Sequence, residues 1–163
     1  RDCRQVAGHK TSRRPIMRAM QPFHLALAVR DLQSTRDFYT GLLGCQEGRS
    51  SDAWIDFDFY GHQLVAHVTE AHEATPLPTS EVDKHAVPVP HFGVVLEWED
   101  WHVLAEYLRG EEVQFIIKPY TRFQDQPGEQ ATMFFRDPSG NNLEFKTFRD
   151  PDMLFDKGED ESE

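Results

Sequence analysis

The chain has 163 residues and a formal net charge of -11. That length suits one domain with a real core, or two small modules sharing one. The acidic balance argues against nucleic acid and anionic membrane surfaces, both of which are held through Lys and Arg; no apolar run approaches the roughly 18 residues of a membrane span.

Two cysteines, Cys3 and Cys45, make no disulfide framework, and nothing points to an oxidising compartment. Residues 1–20 carry six basic side chains (Arg1, Arg4, Lys10, Arg13, Arg14, Arg18) against one acid, Asp2. This arm contains Ser and Thr, is poor in acids and shows no clear apolar period. It reads as a transit-peptide remnant, an unstructured arm or translation upstream of the true start. The first reading places the protein in a plastid or mitochondrion; otherwise a cytoplasmic protein is expected. The chain opens with Arg, which reads as processing or an incomplete start.

Phe23 to Val29 alternates as a strand, with Phe23, Leu25, Leu27 and Val29 on one face and His24, Ala26 and Ala28 on the other. A helix follows, N-capped by Asp31, with Leu32, Thr35, Phe38, Tyr39, Leu42 and Leu43 at helical spacing and Gly44 as the stop. Three short strands are predicted next, near Cys45–Arg49, Ala53–Phe59 and His62–Thr69, the last two joined by a turn at Tyr60-Gly61. Glu70 to Val89 carries Pro76, Pro78 and Pro88 and no period, so it reads as a linker or long surface loop.

After the linker the pattern starts again. Pro90 to Glu97 is a strand with His91, Gly93 and Val95 on one face. A helix is expected from about Asp100 to Gly110, then strands over Val113–Lys118, Gln130–Arg136 and Asn142–Thr147, with a loop at Phe123–Gly128. Asp137-Pro138-Ser139-Gly140-Asn141 is a dense turn signal. Beyond Phe148 the acidic tail over 149–163 reads as a solvated end.

Both halves therefore read strand, helix, three strands, which is an internal repeat. His24 to Gly44 spans 20 residues and His91 to Gly110 spans 19; Gly61 to Val65 aligns with Gly140 to Glu144. A lone strand histidine is ordinarily just hydrogen-bonded, and a lone Glu on a polar strand face is ordinarily solvated. Here His24 and His91 occupy matching positions, and Glu144 lies on the polar face of the last strand with Asn142 and Lys146. Two imidazoles and one carboxylate on converging strands make a divalent-metal site with positions left open for water, substrate or dioxygen. His67 shares the inward face of its strand with Gln63 and Val65, where it is either an acid/base group behind the ligands or a core histidine. The remaining histidines, in the basic arm, the linker, a turn and the second helix, are weaker candidates.

The stretches FHLALAVRDLQSTRDFYTGLLG, PHFGVVL and FFRDPSGNNLEF resemble the vicinal oxygen chelate superfamily, which includes glyoxalase I, extradiol dioxygenases and fosfomycin or bleomycin resistance proteins. The resemblance runs from about Pro22 to Phe148. It implies an α+β fold in which two βαβββ modules, about 21–69 and 90–148, form a curved eight-stranded cup with helices on the outer faces. The cup forms within one chain in some members and across a homodimer in others. Ligands carried over position by position fall on His24, Val65, His91 and Glu144. Val65 cannot bind metal, so the pattern departs from glyoxalase I and fits the two-His-one-carboxylate set of extradiol dioxygenases and some lyase relatives; a neighbour, Gln63 or His67, is the alternative fourth ligand that keeps glyoxalase chemistry open.

The leading expectation is thus an enzyme with Fe(II) or Mn(II), or else Zn(II) or Ni(II), acting on a small substrate with two adjacent oxygens. Trp54, Phe57, Tyr120 and Phe134 are candidates for an apolar wall around that substrate. Dioxygenase-like chemistry is favoured over glyoxalase I-like lyase chemistry because a second carboxylate opposite Glu144 is missing. A binding protein of the resistance type, without turnover, is the alternative from another class.

Overall fold

A computed structural model describes residues 21–70 and 78–157. The readings made for the arm over 1–20, for His72 and for the last six tail residues lie outside them. In chain order the elements are β1 (His24–Val29), α1 (Leu32–Arg36), β2 (Gln46–Ser50), β3 (Trp54–Phe59), β4 (His62–Val68), β5 (Thr79–Val82), β6 (His85–Pro88), β7 (Phe92–Val95), α2 (Trp98–Gly110), β8 (Phe115–Arg122), β9 (Gln130–Arg136) and β10 (Asn142–Phe148). Among the described residues no helix is long and apolar enough to cross a membrane.

The repeat is present as two four-stranded sheets of one topology, β1-β4-β3-β2 and β7-β10-β9-β8. In each, the first strand runs parallel to the last, and the remaining pairs are antiparallel. The helix between first and second strands makes that parallel pairing possible. Asp31 starts the first helix as expected, its Oδ1 accepting from Ser34 N at 2.8 Å. After one turn the coil widens into a π-helical stretch over Asp37–Leu42. The two sheets are not hydrogen-bonded into one ladder, so the expected eight strands appear as four plus four.

Strand parity decides the interior. Ile55, Phe57 and Phe59 of β3 and Leu64 and Ala66 of β4 join Met133 and Phe135 of β9 and Leu143 and Phe145 of β10 in one hydrophobic core. The α2 residues Trp101, Ala105 and Leu108, with Phe38 and Tyr39 from the first helix, complete it. The helices therefore cover the apolar sheet faces and leave the histidine-bearing faces clear of them. The core crosses the repeat boundary, with the Phe59 ring 6.0 Å from Phe145 and the Phe38 ring 6.1 Å from Phe135.

The 137–141 turn clasps the halves together. Asp137 Oδ1 accepts from Ser139 N and Asn141 N at 2.8 and 2.9 Å, and its Oδ2 accepts from Tyr39 OH at 3.1 Å. Asn141 Nδ2 also donates to Ala28 O at 3.0 Å, and Ser139 Oγ accepts from Arg30 N at 3.0 Å. Burial, and then the Asp137 carboxylate, hold the Tyr39 phenol well above its usual range.

Three segments depart from expectation. Residues 79–88, expected as loop, form the β5–β6 hairpin. Its two-residue turn, Asp83-Lys84, has φ values of 49° and 65°, the geometry that keeps a tight hairpin in register with strand twist. In the tail, Pro151–Phe155 forms a 3-10 turn capped by Asp150, whose Oδ1 accepts from Asp152 N at 3.1 Å. The strand at the start of the second module is shorter than expected, so His91 precedes β7 by one residue.

Candidate metal centre

The second sheet brings His91 and Glu144 together. Phe92 pairs with Leu143 in the parallel β7–β10 ladder. His91 then reaches the Glu144 carboxylate, with Nε2 3.1 Å from Oε2. The other ring nitrogen, Nδ1, lies 2.7 Å from Pro88 O at the end of the hairpin. A carbonyl oxygen only accepts, so Nδ1 carries the proton. In the neutral ring the Nε2 lone pair then faces a carboxylate lone pair, an opposition that either a cation between them or a second proton on the ring relieves. Two donors each about 2.1 Å from one metal at near a right angle are about 3 Å apart. The pair thus fits two neighbouring ligands of one ion; a second proton on His91 makes the same contact a salt bridge.

Thr132 Oγ1 donates to Glu144 Oε1 at 2.7 Å, leaving Oε2 to the histidine side. Phe134, directly opposite Glu144 across β9–β10, stands edge-on to the His91 ring at 5.1 Å. Gly93 permits the close approach of β7 to β10: a Cβ there would lie 1.6 Å from Glu144 O. The neighbouring backbone is what requires a residue without a side chain here.

The first sheet holds the other candidate ligand. His24 Nδ1 lies 2.7 Å from Gln63 Oε1, across the parallel β1–β4 pair. Gln63 Nε2 is 3.4 Å from Asp56 Oδ2, which also accepts from Arg49 at 3.2 Å. Gln63, Asp56 and Arg49 border an open cleft of about 340 Å³ with Asp58 and His62. Val65 lies two residues past the partner of His24 on β4, the offset that separates Glu144 from Asn142 on β10. The register supports the alignment of Val65 with Glu144. Among the described residues, no three His, Cys, Asp or Glu side chains come together in a way that could hold a metal ion. One chain therefore presents His24 on one sheet and the His91–Glu144 pair on the other.

The aromatic candidates divide. Phe134 and Tyr120 belong with Glu144. The Tyr120 ring packs on His85 of the hairpin at 4.9 Å, and its phenol is raised by burial first, then by Asp83 and, against an opposing effect of Arg122, by Glu144. Trp54 is half-buried on the face of β3 that carries Asp56, with the Arg49 guanidinium 5.9 Å from its ring. Phe57 is 1% exposed and packs on Tyr39 at 5.1 Å in the core, and it reaches the cleft beside Asp56 and Gln63 only from beneath. His67 lies opposite Trp54, four residues along β4 from Gln63, about 13 Å. Unforeseen participants are Thr132, Asp56, Gln63 as a partner of His24, Pro88 O and the Asp83–Arg122 ion pair that fastens the hairpin to β8. Thr132 carries one sequence signal, since it shares the strand face of Phe134.

Two βαβββ repeats with a helix on the apolar face of each sheet, and His and Glu on the opposite faces, define the vicinal oxygen chelate class of fold. The profile of the Glyoxalase/Bleomycin resistance protein/Dioxygenase superfamily matches residues 21–145. The chain belongs to that superfamily. It is 32% identical to a glyoxalase/bleomycin resistance protein/dioxygenase from Alicyclobacillus acidocaldarius, with a TM-score of 0.68, covering 83% of this chain and 96% of that one. The fosfomycin resistance protein FosX from Listeria monocytogenes is similar in fold at 16% identity and TM-score 0.56, covering 81% and 94%. Lactoylglutathione lyase from Agrobacterium tumefaciens is so at 13% and 0.54, covering 78% and 92%. No curated protein matches the chain significantly.

Proposed function

We propose that this protein is a divalent-metal-dependent enzyme acting on a small substrate that offers two adjacent oxygens. The observation that carries the reading is the 3.1 Å approach of His91 Nε2 to Glu144 Oε2 while Nδ1 is committed to Pro88 O. His91, Glu144 and His24 would hold the ion. His24 stands exposed on the other sheet, so the third ligand comes from a second copy, and a homodimer carries two such sites. Fe(II) or Mn(II) is the preferred ion and Zn(II) or Ni(II) the alternative, given two imidazoles and a carboxylate. When bound, the ion supplies Lewis acidity toward two neighbouring substrate oxygens.

The chain's own residues do the rest. Thr132 fixes the Glu144 rotamer, and Phe134 covers one side of the His91 ring. Tyr120 keeps its proton and offers a hydrogen-bond donor near Glu144. Val65 places an apolar side chain where its repeat equivalent is a carboxylate. That pattern favours dioxygenase-like chemistry over glyoxalase-type proton transfer, which needs a base.

Metal analysis with calorimetric titration of wild type and His91→Ala tests the reading. Stoichiometric Fe(II) or Mn(II), lost in the variant, is expected; no stoichiometric metal together with unchanged ligand binding overturns it. Oxygen uptake with catechols, set against loss of the methylglyoxal–glutathione hemithioacetal, then separates the two chemistries.

A further inference from the structure

We infer that Asp56, acting through the Gln63 amide, sets which nitrogen of His24 carries the proton, and so makes Asp56 and Gln63 positioning residues for the imidazole. The argument runs from the one group whose hydrogen-bonding role is unambiguous. An ionised carboxylate accepts and cannot donate. Gln63 lies with one end of its amide 3.4 Å from Asp56 Oδ2 and the other 2.7 Å from His24 Nδ1. If the amide turned over, its oxygen would face the Asp56 oxygen and two acceptors would oppose each other. Asp56 therefore holds the NH2 toward itself and the carbonyl oxygen toward His24. That oxygen only accepts, so His24 Nδ1 donates, and Nε2 is left with its lone pair directed away from the sheet.

Burial makes the constraint effective. The Asp56 side chain is 10% exposed, whereas that of Arg49, its other partner, is 80% exposed. Water competes poorly at the carboxylate, and the exposed guanidinium does not compete for the Gln63 amide. The second module reaches the same end by other means, because Pro88 O takes the Nδ1 proton of His91 at 2.7 Å. Both histidines thus present Nε2, one through a side-chain relay within its sheet, the other through the backbone of the hairpin. A partner on the far ring nitrogen fixes ring orientation and raises the basicity of the ligating one. The functional half of this inference rests on His24 being a metal ligand; the tautomer half does not.

The test uses the full chain, free of metal, at a pH well above the ordinary imidazole range, with ring nitrogens read by 15N NMR. Wild-type His24 is expected with its proton on Nδ1. Asp56→Ala frees the amide to turn and should give a mixture with the Nε2-protonated form. Asp56→Asn, whose amide can either accept from or donate to Gln63, should likewise leave a mixture. Gln63→Leu serves as the second variant if Asp56→Ala melts early. Mn(II) or Zn(II) titration of the same proteins should show affinity lower by about ten- to a hundredfold in Asp56→Ala, with Asp56→Asn between it and wild type. A proton on Nε2 in wild type, or a tautomer unchanged in both Asp56→Ala and Gln63→Leu, overturns the relay whether or not metal binds. The stated tautomers with no metal bound by wild type support the relay and defeat the metal reading instead.

Discussion

Thr132 and Glu144 lie diagonally across the β9–β10 ladder, and the threonine hydroxyl donates to Glu144 Oε1 over 2.7 Å. Glu144 is thereby held with one oxygen engaged and the other turned to His91. Thr132→Val keeps the shape and removes the donor. The expected result is metal affinity lower by about ten- to a hundredfold, with a stability change of only about 1 kcal/mol. Calorimetric titration beside urea unfolding measures both. Unchanged affinity would mean that Glu144 orients itself without the hydroxyl.

Gly93→Ala places a methyl group against the Glu144 backbone, whose carbonyl oxygen lies 1.6 Å from the ideal Cβ position. No side chain can yield there; a strand must move. A loss of about 1–3 kcal/mol in urea unfolding is expected. Moving β7 also carries His91 off Glu144, so Mn(II) affinity should fall further than stability alone explains. Wild-type stability in the variant would show that the two strands are not so close.

Val65→Glu adds a carboxylate at the repeat equivalent of Glu144, directly opposite Asp56 across β3–β4 and 7% exposed. Without metal the variant should melt lower, because like charges face each other at a buried position. Zn(II) or Ni(II) should bind more tightly than to wild type and recover more of the melting temperature, while oxygen-dependent activity falls as an open coordination position is taken. Melting curves with and without Zn(II) decide the matter. Lower stability with unchanged metal affinity would remove Val65 from the site.

Cys45 is 5% exposed, and burial, reinforced by the Asp58 carboxylate, pushes its thiol from 9.0 up to about 12. Raising the pKa by that amount leaves roughly a thousandfold less thiolate at about pH 8, and the thiolate is the reactive form. In a Cys3→Ser background, a thiol reagent should therefore label the native protein slowly and the urea-unfolded protein at once. Rapid native labelling would contradict the burial of the β2 entry.

What could be read from the sequence was what is local. The repeat shows through because alternation, glycine stops and the two histidine contexts each occupy a few adjacent residues. The β5–β6 hairpin does not, because its turn is Asp83-Lys84 with positive φ at both positions and no glycine to announce it. Phe57 had its signal, alternation with Asp56 and Asp58, which puts it on the apolar face. Thr132 and the Asp56–Gln63–His24 chain depend on side chains meeting across strands, and no local pattern reports such meetings. The repeat does put His24 in one module and His91 with Glu144 in the other, and each module forms its own sheet.

The clasp at Asp137 reaches Tyr39, 98 positions earlier, and the interior it closes is drawn from both repeats. Continuity of the backbone between the repeats is therefore not what keeps them together. A circular permutant opened in the connection after β4, with the old ends joined by a flexible linker, retains every lateral bond of the clasp and the whole of the shared interior. Either repeat produced alone keeps its four strands' worth of sequence but loses the surface they close upon, and is expected to melt far below the pair.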